Sequence, residues 1–404
     1  MRKWLSAICI ILMLIPLTAC DASEKQYIES ELNPDTGVSM KTVYPVYDKG
    51  CEQISFIIEN NSEERIEFGS GWWLERRSGR RWQSVEWEIP TAFTDILYFS
   101  EPGAKRYFQC SLKPFQKGLK DGRYRFIKEI EGAWYTAEFE IGDSPITAET
   151  PFGFLPLEDL PQNYSPENAA ADGVVVLREG EIVNGEVMSA FFSDWNWFGF
   201  CGQLRVMSEA EGGWVVTDLI RGDTRGGTRL TCRIADRRDG ASDAVSTAYY
   251  SFFHVEDGRA YLSNRRNFTT PDGALPLYGG IALPQEIADR IEASRGPDNG
   301  ASLIVYSPDG KIHATIHESG DLSIGGDGWG TVCGGEFSGK PLLDLVWQDV
   351  STLLLIADGG EPGLYFYEFM HVDAEDMKSI RTLSYTYSTH AYVRDEEGHI
   401  LIPE

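Results

Sequence analysis

Few residues in this chain have the types and spacing that chemistry demands. Gly334-x4-Gly339-Lys340 has the glycines and lysine of a phosphate-cradling loop, in which freed backbone N–H groups and an ammonium meet phosphate oxygens. Pro341 stands where that loop needs Ser or Thr to hold magnesium, and the apolar run from Leu342 to Trp347 reads as strand, not helix, so the motif is set aside. His313 and His317 fall on one face of a strand, but four residues along a strand span about 13 Å, too far for two imidazoles to share one ion. They are read as exposed strand histidines. No G-x-S-x-G elbow, H-E-x-x-H helix or C-x-x-C pair occurs. The 62 acidic residues contain many carboxylate pairs able in principle to serve a glycoside hydrolase, and spacing singles out none of them. No catalytic residue, metal ligand or cofactor is assigned.

Binding chemistry is better represented. Asp194-Trp195-Asn196-Trp197-Phe198-Gly199-Phe200 concentrates aromatic rings, and Arg221, Arg225, Arg229, Arg233, Arg237 and Arg238 follow after two strands. A guanidinium both pairs with carboxylate or phosphate and stacks on rings, so Trp195 and Trp197 with Arg221 and Arg225 are the candidate ligand-binding set. The competing account gives the rings to a core and pairs the arginines with Asp223, Asp236 and Asp239 on the surface, where each pair contributes about 0–1 kcal/mol. Trp72, Trp73, Trp82 and Trp87 lie in strands and are read as core or sheet packing.

These residues are carried by a chain of 404 residues with 36 basic and 62 acidic side chains, a formal charge of −26. That charge repels phosphate backbones and argues against nucleic acid as a partner. The single apolar run is N-terminal, which excludes a polytopic membrane protein. Residues 1–19 read as an export signal: Arg2 and Lys3, an apolar stretch from Leu5, then Leu17-Thr18-Ala19-Cys20. This ending resembles the lipobox of bacterial lipoproteins, which implies that Cys20 is diacylated and begins the mature chain. Two acyl chains suffice for stable anchoring, so the expected address is the extracytoplasmic face of the cell membrane. Residues 20–34 are polar and read as a tether.

Residues 35–142 hold six or seven short β-branched and aromatic runs, at 53–58, 67–74, 81–87, 106–112, 122–130 and 134–141, separated by turn signals. That is the profile of an antiparallel sandwich. Asn60-Asn61-Ser62, Phe68-Gly69, Trp82, Pro102-Gly103 and Leu119-x-x-Gly122-x-Tyr124-Arg125-x-x-Lys128 resemble the bacterial immunoglobulin-like domain of Gram-positive surface and sensor proteins. The resemblance implies fold and exported setting and brings no catalytic residues. Cys51 and Cys110 meet if the strands 53–58 and 106–112 are antiparallel neighbours; on the chain-entropy model such a disulfide is worth roughly 4 kcal/mol.

Residues 143–162 hold four prolines and read as a linker or extended connection. Residues 163–275 read as a small α+β domain: a strand at 173–177, a helix opened by Asn184-Gly185-Glu186, and strands at 203–207 and 214–219. Its order of residues is similar to a small domain of unknown function in lipoproteins of bacilli and clostridia. Residues 276–404 carry 7 basic and 21 acidic residues and read as a β-rich domain after one short helix at 284–294. Seven strands, at 302–306, 311–316, 341–347, 352–357, 364–369, 379–387 and 391–393, make about two blades at four strands each, so an incomplete propeller-like sheet or a small sandwich is expected. The chain is thus expected to be multidomain and mainly β: an immunoglobulin-like sandwich, an α+β domain and a β-rich domain. Its expected role is non-enzymatic, binding an envelope polymer or protein ligand or sensing external conditions. The alternative is a hydrolase of cell-wall or extracellular polymer with a carboxylate site in the C-terminal half.

Overall fold

The computed structural model describes residues 27–89, 93, 97–115, 118–194, 200–222, 229–242, 244–267, 274–294, 301–326, 329–333, 340–372, 380–394 and 400–403. Its contacts divide the chain into two units: a first ending at Ser144, and a second running from Pro145 to Glu404 to which Arg106–Gln109 are also assigned.

In the first unit the β-branched and aromatic runs form two antiparallel-rich sheets. One has the order Val46–Tyr47, Ala133–Ile141, Gly122–Ile130, Trp73–Ser78, Arg81–Ser84; the other has Val38–Thr42, Gln53–Asn60, Lys105–Ser111. Alternate residues turn inward, and the two sheets meet where the Phe56 and Phe126 rings approach to 5.5 Å. Trp72 and Trp82 are 9% exposed, as the packing reading requires, whereas Trp73 is 38% exposed.

The polar residues that carry the immunoglobulin-like resemblance are tied into this framework. Asn60, fully buried, donates through Nδ2 to the carbonyls of Glu64 and Ser100 and accepts from Ser62 at Oδ1. The Arg125 guanidinium donates to Glu75, 2.6 Å away and 2% exposed, and lies 4.5 Å from the Trp82 ring centroid. Lys128, 1% exposed, donates to the carbonyls of Gly69 and Gly71 and faces the Phe68 ring. Each buried charge thus has hydrogen-bond partners, without which its desolvation would be costly.

Two expectations change here. The tether does not extend to residue 34: Tyr27 donates to Glu75, Glu29 accepts from Arg125, and Asn33 binds Trp134 and Thr136. Polar side chains that cannot build a core are here held by the outer polar atoms of a core that already exists. Cys51 and Cys110 are separate buried thiols. The Leu112 amide donates to the Glu52 carbonyl and the Asn60 amide to that of Ala104, which sets Cys110 opposite Ile54. Cys51 lies three residues from that point, about 10 Å along the strand, beyond the Cα separation a disulfide spans. Its Sγ instead donates to the Gln53 carbonyl.

The second unit begins with a six-stranded sheet in the order Glu181–Val183, Val175–Arg178, Gly202–Ala210, Gly213–Arg221, Leu230–Arg238, Ser246–Tyr250. One pair, Val175–Arg178 with Gly202–Ala210, is parallel, and the helix Gly185–Asp194 lies in the connection between its strands. A second helix, Pro166–Ala171, has Ser165 as its N-cap. The proline-rich stretch is not a free linker. Leu157, fully buried, and Leu160, 7% exposed, enter the core of Met207, Val216 and Ala235. Proline denies helix and ladder hydrogen bonds without preventing burial of the leucines between. After a three-stranded sheet and the helix Gln285–Ala293 come two four-stranded antiparallel meanders, Ala301–Tyr306 to Trp329–Cys333 and Leu342–Trp347 to Ile380–Ser388. They share one core, with Leu303, Ala314 and Ile324 from the first and Leu345, Leu355 and Val372 from the second. The chain is mainly β, as expected. The first meander contains two strands absent from the sequence reading, Leu322–Gly326 and Trp329–Cys333.

Candidate functional site

The arginines singled out in the sequence have internal partners wherever they are described. Beside them Arg205, which that set did not include, forms a buried bidentate pair with Asp218 at 2.6 and 2.7 Å and donates to the Leu155 carbonyl. On the same sheet face Arg233 pairs with Glu158 and Arg237 reaches the Leu157 carbonyl, so three arginines fasten the 154–160 stretch to the sheet. Arg238 pairs with Asp236. Arg229 donates to the Gly310 carbonyl, where a Cβ on Gly310 would lie 2.4 Å from the Tyr249 ring. Arg221 lies 5.9 Å from the Phe200 ring centroid. Trp195, Trp197 and Arg225 lie outside the described residues, as does Cys20. Of the candidate ligand-binding set, Arg221 alone lies within the described residues.

Other candidates also resolve into structure. His313 and His317 are half-buried, not exposed, and His317 Nε2 is 2.9 Å from Ser323 Oγ. Among the described residues no group of three His, Cys, Asp or Glu is placed to hold a metal ion. Burial pushes the Cys232 thiol up to about 12 and the Cys110 thiol higher still, so neither supplies a thiolate near neutral pH. A cleft of about 290 Å³ in the first unit is edged by Glu67, Glu129, Glu131 and Trp73, outside the C-terminal half in which a carboxylate site was sought.

The surface with binding chemistry lies on the last meander. Ile380–Ser388 reads Ile-Arg-Thr-Leu-Ser-Tyr-Thr-Tyr-Ser, rich in β-branched and aromatic residues, and pairs with Tyr365–Val372 on one side. Among the described residues no strand pairs with its other edge. Seven successive residues, 381–387, are exposed. The register shifts opposite Phe369 and Met370 so that Leu383 has no cross-strand partner, a bulge that keeps Tyr385 and Tyr387 on the face of Phe366 and Glu368.

On that face Tyr385 is 68% and Tyr387 48% exposed. Buried Phe366 backs both, with centroids 5.9 Å from Tyr385 and 5.1 Å from Tyr387. Lys340, the lysine of the phosphate-loop near-match, donates to the Gly359 carbonyl at 3.2 Å and holds its ammonium 5.2 Å from the Tyr387 centroid. Directly opposite Tyr385 stands Glu368, 5% exposed. Thr382 donates to its Oε1, while its Oε2 is buried and has no hydrogen-bond partner. Buried polar atoms are normally paired, and this oxygen is one of a few described exceptions, with Asn264 Oδ1 among the others. The arrangement offers flat rings for stacking, an acceptor and an ammonium donor. Sequence reasoning missed it; the signal available was the Thr-Leu-Ser-Tyr-Thr-Tyr run within residues 377–394, which contain no Asp or Glu inside a strongly acidic segment.

Comparison with known proteins agrees with the fold of the first unit. Residues 34–140 match the family model of the bacterial Ig-like domain. No curated protein matches the chain. Among solved structures, the sporulation control protein Spo0M of Bacillus subtilis aligns over 53% of this chain and 89% of its own, at 10% identity and a TM-score of 0.19. A protein of unknown function from Bacteroides thetaiotaomicron aligns over 87% of both chains, at 10% identity and a TM-score of 0.14. Similarity at that level carries no argument about either fold or function.

Proposed function

We propose that this protein is a bacterial lipoprotein, held by acylated Cys20 at the extracytoplasmic face of the membrane, that binds an envelope ligand without chemically converting it. The signal-like N-terminus ending in Leu17-Thr18-Ala19-Cys20 supports the anchor, and the Ig-like domain is in keeping with an exported setting. The observation that carries the binding role is the pair of solvent-exposed tyrosines, Tyr385 and Tyr387, beside a buried carboxylate oxygen that lacks a donor. Adjacent exposed rings form a contiguous patch of the kind that marks interaction sites, and a rigid aromatic side chain offers large contact area at low entropy cost.

Two measurements test this reading. Cys20→Ala should move the protein from the membrane fraction to the soluble fraction, and retention in the membrane would exclude lipid anchoring at this residue. The detergent-extracted full chain should co-sediment with purified cell-wall sacculi and release no new reducing ends from them. Release that depends on the protein would turn the assignment toward the hydrolase.

A further inference from the structure

Building on the binding role proposed above, we infer that the face formed by Tyr385, Tyr387, Glu368 and Lys340 is a carbohydrate site, taking a polyhydroxylated chain across the two rings. Alternate residues of a strand stand about 7 Å apart on one face, so the tyrosines present adjacent rings to successive sugar units. The apolar C–H faces of a pyranose stack on flat rings, and its equatorial hydroxyls extend sideways as donors and acceptors. Glu368 Oε2, across the strands from Tyr385, is buried and short of a donor among the described residues, and a rotation of the carboxylate or of the Tyr385 ring brings it to a sugar hydroxyl that supplies one. Lys340, fixed by the Gly359 carbonyl and the Tyr387 ring, offers N–H donors at the other end of the face. Of the strand's threonines Thr382 reaches this face, through its hydrogen bond to Glu368, and the strand itself carries no Asp or Glu to repel the ligand.

An extended peptide added to the free edge is the competing occupant. The bulge at Leu383 argues against it, because strand addition needs a continuous row of N–H and C=O groups and a bulge interrupts that row mid-strand. In the sugar reading the same bulge places both tyrosines on the face of Glu368.

The test titrates the detergent-extracted full chain with chitohexaose, following tyrosine and tryptophan fluorescence and calorimetric heat, with a nine-residue Thr/Val peptide in parallel. Binding of chitohexaose is expected, weakened about tenfold by Tyr385→Ala or Tyr387→Ala and largely preserved by Tyr385→Phe. Glu368→Gln, nearly the same shape, should weaken it several-fold while leaving the circular dichroism spectrum and Tm unchanged. No chitohexaose binding, or binding untouched by Tyr385→Ala/Tyr387→Ala, overturns the proposal, as does preferential binding of the peptide. Sacculus co-sedimentation separates the two levels of the argument. If chitohexaose fails but the double alanine variant no longer co-sediments, the face binds and the ligand class is wrong; if the variant co-sediments like wild type, the face itself is wrong.

Discussion

Replacing Lys128 with Met isolates the effect of a buried ammonium on the first unit. Lys128 is 1% exposed, and its Nζ donates to the Gly69 and Gly71 carbonyls at 2.6 and 2.9 Å. Burial pulls its pKa from 10.5 down to about 8. In the unfolded chain the lysine keeps its ordinary value. Between those two pKa values the unfolded state binds more protons than the folded state, so the stability set by this residue rises with pH. The whole shift corresponds to about 3 kcal/mol, of which about 2 kcal/mol is gained between pH 7 and pH 9.5. The buried thiols Cys51 and Cys110 act in the opposite sense, since their raised pKa values lose stability once unfolded thiols ionise. Cys110 feels the Lys128 charge, but in the folded state its thiol stays protonated across this pH range with or without that charge, so the thiols cancel in the difference. The assay is urea denaturation by pulse proteolysis at both pH values, read on the fragment carrying residues 34–140. The stability of Lys128→Met relative to wild type should fall by about 2 kcal/mol from pH 7 to pH 9.5. Parallel behaviour of the two proteins would refute a charged, desolvated Lys128 and with it this account of the core.

Three further outcomes are expected. Asp218→Ala leaves the Arg205 guanidinium buried without its carboxylate and should lower the stability of the second unit by about 3–5 kcal/mol in urea melts. Leu157→Ala opens a cavity beneath the 154–160 stretch and should cost about 2–5 kcal/mol in the same melts; an effect under about 0.5 kcal/mol would restore the free-linker reading. Dithiothreitol should leave the first unit's Tm unchanged and Cys51→Ser/Cys110→Ser should show no redox-dependent difference, because the two thiols are too far apart to bridge.

Much of the fold was legible because its causes are local. Runs of β-branched and aromatic residues between Gly, Asn and Pro turns announce strands wherever each residue has only to alternate between two faces. The helix over Gly185–Asp194 and the strands around it follow the same logic. Leu322–Gly326 and Trp329–Cys333 escaped because they lie in a glycine-rich stretch, in which local propensity is weak and pairing with the neighbouring strand supplies the order.

The sequence by itself determined that the chain is acidic, mainly β and carries an Ig-like domain near its N-terminus. It also showed Arg125 and Lys128 within a recognisable pattern, though not as buried charges. Only tertiary structure decided which polar groups are spent on architecture and which side chains stay exposed. Arg233 and Arg237 look available in sequence, and a stretch 75 to 80 residues upstream occupies them. Tyr385 and Tyr387 look like core residues of a strand and are exposed, because Ile380–Ser388 lies at a sheet edge where the packing that buries Leu355 and Val372 does not extend. Exposure depends on which distant segment arrives to cover a face, and alternation along one strand carries no information about that arrival.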